Sequence, residues 1–202
     1  MAVITTPVQV ANLALGLVGQ RQLIGAFNDP SVEAQTADLY FETTRDELLQ
    51  KWDWRFATKR AVLALTLEER TGWGYCYESP ADLLKAQQIY SGARMPGQGD
   101  QVAFTKELND AADGHLILTD MVDAELFYTV RLATVALWPP LFVKAVAAQL
   151  AVYMAPALPV KPELIPTYEA RAERAFQLAA SRDANEAQKD PEAESEFIRE
   201  RG

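Results

Sequence analysis

The sequence predicts an α+β fold that is mainly α: a four-helix bundle with an inserted small antiparallel β-sheet or sandwich and an extended C-terminal tail. Three observations carry this. Four segments repeat apolar residues at three- and four-residue steps. Between the second and third of them lie short alternating runs broken by Gly, Pro and Asp. After Ser181 the apolar spacing dissolves. The main domain is expected to cover residues 1–187, with the β insert at about 61–132 and the tail at 188–202.

Thr6-Pro7-Val8-Gln9 opens the first helix. Thr6 suits the cap, Pro7 the first position, and Gln9 completes a capping box. Val10, Leu13, Ala14, Leu17 and Val18 give one apolar face, and Gly19 suits the C-terminal cap. Arg21 to Asn28 connects to a longer helix. Asp29 is the expected cap there, Pro30 the first helical residue, and Glu33 suits the positive end of the helix dipole. Ala34, Ala37, Phe41, Leu48 and Trp52 share a face. The helix leaves through Trp52-Asp53-Trp54-Arg55-Phe56-Ala57, an aromatic cluster that reads as core.

Lys59 to Leu67 reads as strand or extended chain. Tyr75 and Tyr77 alternate with Cys76, and Leu83 to Tyr90 is half alternating. Gly92 to Asp100 is a Gly/Pro loop, and Gln101 to Thr105 a short strand. Asp113-Gly114 turns the chain into a buried strand, Leu116-Ile117-Leu118. In Glu125 to Leu132, Leu126, Tyr128 and Val130 fall on one side. Trp138-Pro139-Pro140 restarts helix. From Leu141 to Ala155 only Lys144 and Gln149 are strongly polar, so this helix is expected at the centre of a bundle or at a subunit contact. Pro156 and Pro159 end it. Pro162 and Pro166 bracket the start of a last helix, with Tyr168, Ala172, Ala175 and Ala179 aligned. The stretch from Ser181 to Gly202 carries seven acids and four bases, with Phe197 and Ile198 as its small apolar anchor. It is expected to be disordered or extended in isolation.

The net charge of −9 opposes a protein that grips nucleic acid by its phosphates, and no basic stripe with interleaved aromatics occurs. It is compatible with a channel that DNA passes through, since a negative lumen repels the backbone. One cysteine, Cys76, excludes an intrachain disulfide and a thiolate zinc site. There is no basic-then-apolar N-terminal leader, and the apolar run Leu141 to Met154 is short of the roughly 20 residues of a membrane span. A soluble protein made in a reducing compartment is expected.

No motif announces chemistry. Gly97-Gln98-Gly99 lacks the third glycine, the preceding strand and the following helix of a phosphate site. His115, the single histidine, reads as a strand residue beside a turn, and nothing orders a Cys76–His115 nucleophilic pair. Asp46, Glu47 and Asp53 read as a solvated helix face. Asp53, between two tryptophans, is the one in a setting that could shift a carboxyl, with capping, or pairing with Arg55 or Arg60, as the plainer role. The chain is therefore expected to have no catalytic residues, no cofactor and no metal.

An ordered set of segments carries a family resemblance. It runs Asn12-Leu13-Ala14-Leu15, Asp29-Pro30-Ser31, Arg45 to Leu49, Trp52 to Leu63, Ser79 to Lys85, Asp113-Gly114, Leu116 to Asp120, Leu126 to Tyr128, Trp138 to Phe142 and Ala148 to Ala151. Over roughly residues 8–180 the chain resembles the head-to-tail adaptor proteins of short-tailed phages, the tail tubular protein A-like family, with Trp52, Trp54 and Phe56 as its structural signature. The resemblance implies a helical bundle with a β insert, without cofactor or catalytic site. It implies a dodecameric ring beneath the portal protein, with a tail tubular protein B-like nozzle on the other side. Double-stranded DNA would pass through the lumen during ejection without sequence recognition, and no membrane is involved. It places the protein in the virion at the head–tail junction after assembly in the host cytoplasm. Carried over to the tail, it makes Phe197, Ile198 and Arg199 portal-binding residues. Two rivals stand beside it: a head-closure or tail-completion protein of a long-tailed phage, and a peptidoglycan hydrolase working through acids such as Asp53 and Glu47.

Overall fold

Helix α1 (Pro7–Leu17) begins on a complete capping box. The Thr6 hydroxyl accepts from the Gln9 N–H, and the Gln9 side chain accepts from the Thr6 N–H. It ends where Gly19 takes φ +82°, which lets the Gly19 and Gln20 N–H groups bond back to Gly16 and Leu15. The computed structural model describes residues 4–91 and 102–186. Among them it is α+β, with four α-helices and two three-stranded antiparallel sheets. The stretch from Gly92 to Gln101, including Gly97-Gln98-Gly99, and the tail from residue 187 lie outside the described residues.

Asn12 ties the connector back onto α1, since its amide donates to the Ile24 carbonyl and accepts from the Ile24 N–H, both at 2.9 Å. Helix α2 (Val32–Lys51) is capped by Ser31, whose hydroxyl accepts from the Ala34 N–H. The expected cap, Asp29, works one turn earlier. Its carboxylate accepts from Gly25 and Ala26 and closes the connector, which leaves Pro30 outside the helix. Glu33 is in the first turn as expected. At the other end Trp52 goes extended at φ −143° and ψ 155° and is 39% exposed, so it does not continue the buried face. The core position passes to Trp54, 1% exposed, whose indole N–H donates at 2.7 Å to the Leu48 carbonyl, one of the four carbonyls a helix leaves without a partner.

Between α2 and the next helix come β1 (Thr58–Val62), β2 (Tyr75–Glu78), β3 (Leu83–Ile89), β4 (Phe104–Leu108), β5 (His115–Thr119) and β6 (Glu125–Val130). The strand expected at Gln101–Thr105 is centred further along the chain, at β4. One sheet has the order β1-β6-β3, the other β2-β5-β4. Tyr77 and Ile117 of the second pack with Ile89, Leu126 and Tyr128 of the first in one apolar cluster. Cys76, Leu116 and Leu118 form a smaller cluster with Trp73. Central strands are thus buried on both faces: in β6 Leu126, Phe127, Tyr128 and Thr129 are all buried, which overrides simple alternation.

Helix α3 (Pro140–Met154) lies against α1, α2 and α4 (Ile165–Asn185). Small residues Ala145, Ala147, Ala148 and Ala151 are buried along it beside Phe142, Val146, Leu150 and Met154, while Lys144 faces solvent. With its following turn, the stretch Pro140–Ala157 is 18 residues long and apolar enough to cross a membrane, but 56% of it is buried inside the protein. Its apolarity serves the core. Helix α4 runs to Asn185, past the Ser181 boundary expected from the sequence.

Trp54→Ala is expected to destabilise the fold by about 3–5 kcal/mol, the usual range for emptying a buried aromatic site. Trp52→Ala, at an exposed position, is expected to stay within about 1 kcal/mol. Urea denaturation of both variants checks the contrast.

Candidate functional site

The chain passes twice between helices and insert, and a tryptophan holds each passage. The Trp54 indole donates to the carbonyl of Leu48, and the Trp138 indole to that of Leu132 at 3.0 Å, each six residues back. Phe142, in the first turn of α3, joins the two. Its ring is 4.9 Å from Trp54 and 5.2 Å from Trp138, both edge-on, and 4.9 Å from Phe56. Trp54 also meets Phe176 of α4 edge-on at 5.9 Å, and Trp138 stacks on Phe41 of α2 at 6.3 Å. Edge-on pairs set the positive rim of one ring against the negative face of another.

Beside this seam opens a pocket of about 260 Å³. Trp54 and Phe56 form one wall, Pro139 to Phe142 a second, and Ala179, Arg182 and Asp183 of α4 with the Glu186 that follows it a third. Helix α3 starts here with no side-chain cap, with Pro140 in its first turn and no acid there. The acid at the site is on α4. Asp183 is only 6% exposed, and its two carboxylate oxygens accept from the Arg55 N–H at 3.2 and 3.1 Å. The Phe56 N–H also bonds to it. It therefore caps the 3-10 turn Arg55–Ala57, which has no side-chain cap of its own sequence. Burial pushes its carboxyl above the usual range, against the pull of those backbone donors. A buried acid among aromatics resembles a general acid, but its oxygens are committed to backbone N–H groups.

A polar cluster ties the insert to the same passage. Asp82 accepts from Lys59 Nζ and from the Tyr128 hydroxyl, each at 2.8 Å. Partial burial alone raises the Asp82 carboxyl, yet hydrogen bonds from Lys59 and Tyr128 bring it below its ordinary value. Lys59 is raised by its hydrogen bond to Asp82, and Tyr128 by burial and then by Asp82. All three move away from neutrality, the reverse of what general acid–base chemistry asks.

The other acids singled out from sequence have partners. Asp53 pairs with Lys85 at 2.7 Å, not with Arg55 or Arg60, and is more than half exposed. Asp46 bridges Arg45 and Arg131, and Glu47 accepts from the Tyr153 hydroxyl at 2.6 Å. Cys76 is opposite Leu118, whereas His115 stands three positions before Leu118 in β5 on the other face, so the two do not form a pair. His115 is exposed at the start of β5, as expected. Among the described residues no group of three or more His, Cys, Asp or Glu side chains is placed to hold a metal ion. Phe197, Ile198 and Arg199 lie outside the described residues.

Asp183 falls in the stretch after Ser181, where the apolar spacing weakens and no site is expected from the sequence. The signal was present: Ala172, Phe176, Ala179 and Asp183 continue one helical stripe at four-, three- and four-residue steps. Comparison with protein-family models and with curated proteins found no match.

Asp183→Ala is expected to cost about 2 kcal/mol, since it leaves backbone donors of the 3-10 turn unpaired. Asp183→Asn keeps an acceptor and removes the charge. Because the folded carboxyl is raised, its ionisation opposes folding: its stabilisation is complete below the unfolded value near 3.8 and is lost as pH rises through the folded value. The stability of the natural protein relative to Asp183→Asn should therefore increase as pH falls through that window, measured by urea denaturation at stepped pH.

Proposed function

We propose that this protein is a virion structural protein: a ring-forming head-to-tail connector joining a portal to a tail nozzle and lining part of the DNA passage. In this reading the four helices form a bundle, the two sheets project from it, and residues beyond 187 form an extended tail. One observation supports it most. The segments that carry the resemblance, far apart in the chain, converge at one neck. Trp54 and Phe56 meet Phe142 and Trp138, Lys59 meets Asp82 and Tyr128, and Asp53 meets Lys85. A neck that fixes an arm on a bundle suits a part whose work is geometry, and Asp82 and Lys59 there favour fixed charge over proton transfer.

The partners are then further copies of the chain in a dodecameric ring, a portal protein, a tail tubular protein B-like nozzle, and double-stranded DNA sliding through without base readout. Repeating a charge of −9 around a ring makes a strongly acidic channel, which keeps DNA from adhering. Phe197, Ile198 and Arg199 are the proposed portal contacts. The protein is neither enzyme nor cofactor carrier in this reading, and it resides in the virion at the head–tail junction. A head-closure or tail-completion role in a long-tailed phage uses the same architecture, and a nozzle gene beside this one distinguishes the two. A hydrolase working through Asp53 and Glu47 is the least supported, since a lysine and a tyrosine hydroxyl engage those acids.

Electron microscopy of the purified protein mixed with portal from the same phage is expected to show an added ring on one portal face. Portal rings that stay bare at high protein concentration rule the connector out. Deleting Asp190 to Gly202 is expected to weaken that assembly while the truncated chain still folds.

A further inference from the structure

We infer that the pocket beside Trp54 is the docking site of this chain's own Phe197–Ile198 segment, within the same copy. The chain leaves α4 at Glu186, and Glu186 itself lines the pocket. From residue 187 onward Phe197 and Ile198 are the only large apolar residues. Phe197 stands eleven positions beyond Glu186. Eleven residues of random-coil chain would span about 18 Å on average, which would hold the anchor near the pocket at an effective concentration in the roughly millimolar range.

Size and chemistry agree. At about 260 Å³ the pocket is below the ~300–1,000 Å³ of small-molecule sites and suits one or two side chains. Its walls are mainly Trp54, Phe56, Leu141, Phe142 and prolines. An aromatic anchor there would extend the ring seam. The rim has one charge of each sign, Arg182 and Glu186, in a loose 3.7 Å pair with both side chains more than half exposed. The anchor is likewise flanked by Glu196 and Arg199, so the two pairs can be exchanged. The docking does not depend on the connector reading, although within it the anchor is shielded until a portal competes for it.

Photo-crosslinking of the full chain tests the assignment, with p-benzoylphenylalanine in place of Phe197. Irradiation at micromolar concentration is expected to give crosslinks within single chains, mapped to peptides containing Trp54–Phe56 or Pro139–Phe142, with a yield unchanged on tenfold dilution. Leu141→Glu, at a half-buried position on the wall, should lower that yield about fivefold or more. Moving the label to Glu192 in the otherwise natural chain should lower it similarly, and this control does not touch the folded core. Crosslinks between copies, crosslinks elsewhere, or equal yields from positions 192 and 197 each overturn the assignment. A portal that stays bare while these crosslinks form refutes the connector and leaves the docking intact.

Discussion

Trp54 sets the constraint on which the arrangement depends. It sits just past a helix that must stop, at the start of a chain segment that must turn into a sheet. Its indole N–H satisfies a carbonyl at the end of α2, and its ring fills the space between α3 and α4. A phenylalanine would fill part of the space and leave the carbonyl. A smaller polar residue would do the reverse. The return passage repeats the device with Trp138, and Phe142 touches both tryptophans. The two passages are thereby one packed unit, and the insert cannot swing on either strand without breaking the same seam.

The polar contacts around the neck are cooperative with that seam. Asp183 reaches from the last turns of α4 to the backbone just after Trp54, so the end of the chain's last described helix holds the start of the insert. Its carboxyl is raised by burial, which marks a charge kept for the hydrogen bonds it accepts despite the desolvation it suffers. On the sheet side, Lys59 of β1, Asp82 just before β3 and Tyr128 of β6 join the three strands of one sheet at the end nearest the helices. A separate amide does similar work: Gln87 donates to the hydroxyls of Thr58 and Thr129 across the same strands.

Much of the helical fold was legible because its cues are local. Thr6, Pro7 and Gln9 announce a cap that forms as written, and the nearly unbroken apolar run after Pro140 reads as a helix at the centre of a bundle or at a subunit contact. The differences arise where a competing turn, a change in backbone direction or a long-range partner decides. Asp29 has the chemistry of a cap, but a three-residue-earlier turn claims its carboxylate. Trp52 keeps the helical period of α2, yet the backbone has already gone extended and the core takes Trp54. Asp183 reads as one more acid in a stretch of dissolving apolar spacing until the N–H groups of a 3-10 turn 128 residues away are brought to it. Period and composition contain no information about that encounter. The site was legible only as a cluster of aromatics, because the pocket exists only once α3 and α4 meet it.

A rigid neck changes what the insert can contribute. Several of the large apolar side chains left exposed are on the insert: Val62 at the end of β1, Leu65 and Leu67 after it, Leu108 at the end of β4 and Val122 before β6. Strands β1 and β4 each lie at the edge of a sheet, where unpaired backbone groups invite another strand. Both carry exposed charge, Lys59 and Arg60 on one, Lys106 and Glu107 on the other, which opposes strand-to-strand addition. Contact through these regions therefore favours side chains over backbone ladders, and side-chain contact demands fixed placement. A hinged arm would lose that placement to rotational freedom at each encounter. Joining both passages on Phe142 limits that freedom, so the aromatic seam helps fix where the exposed leucines and valines are held.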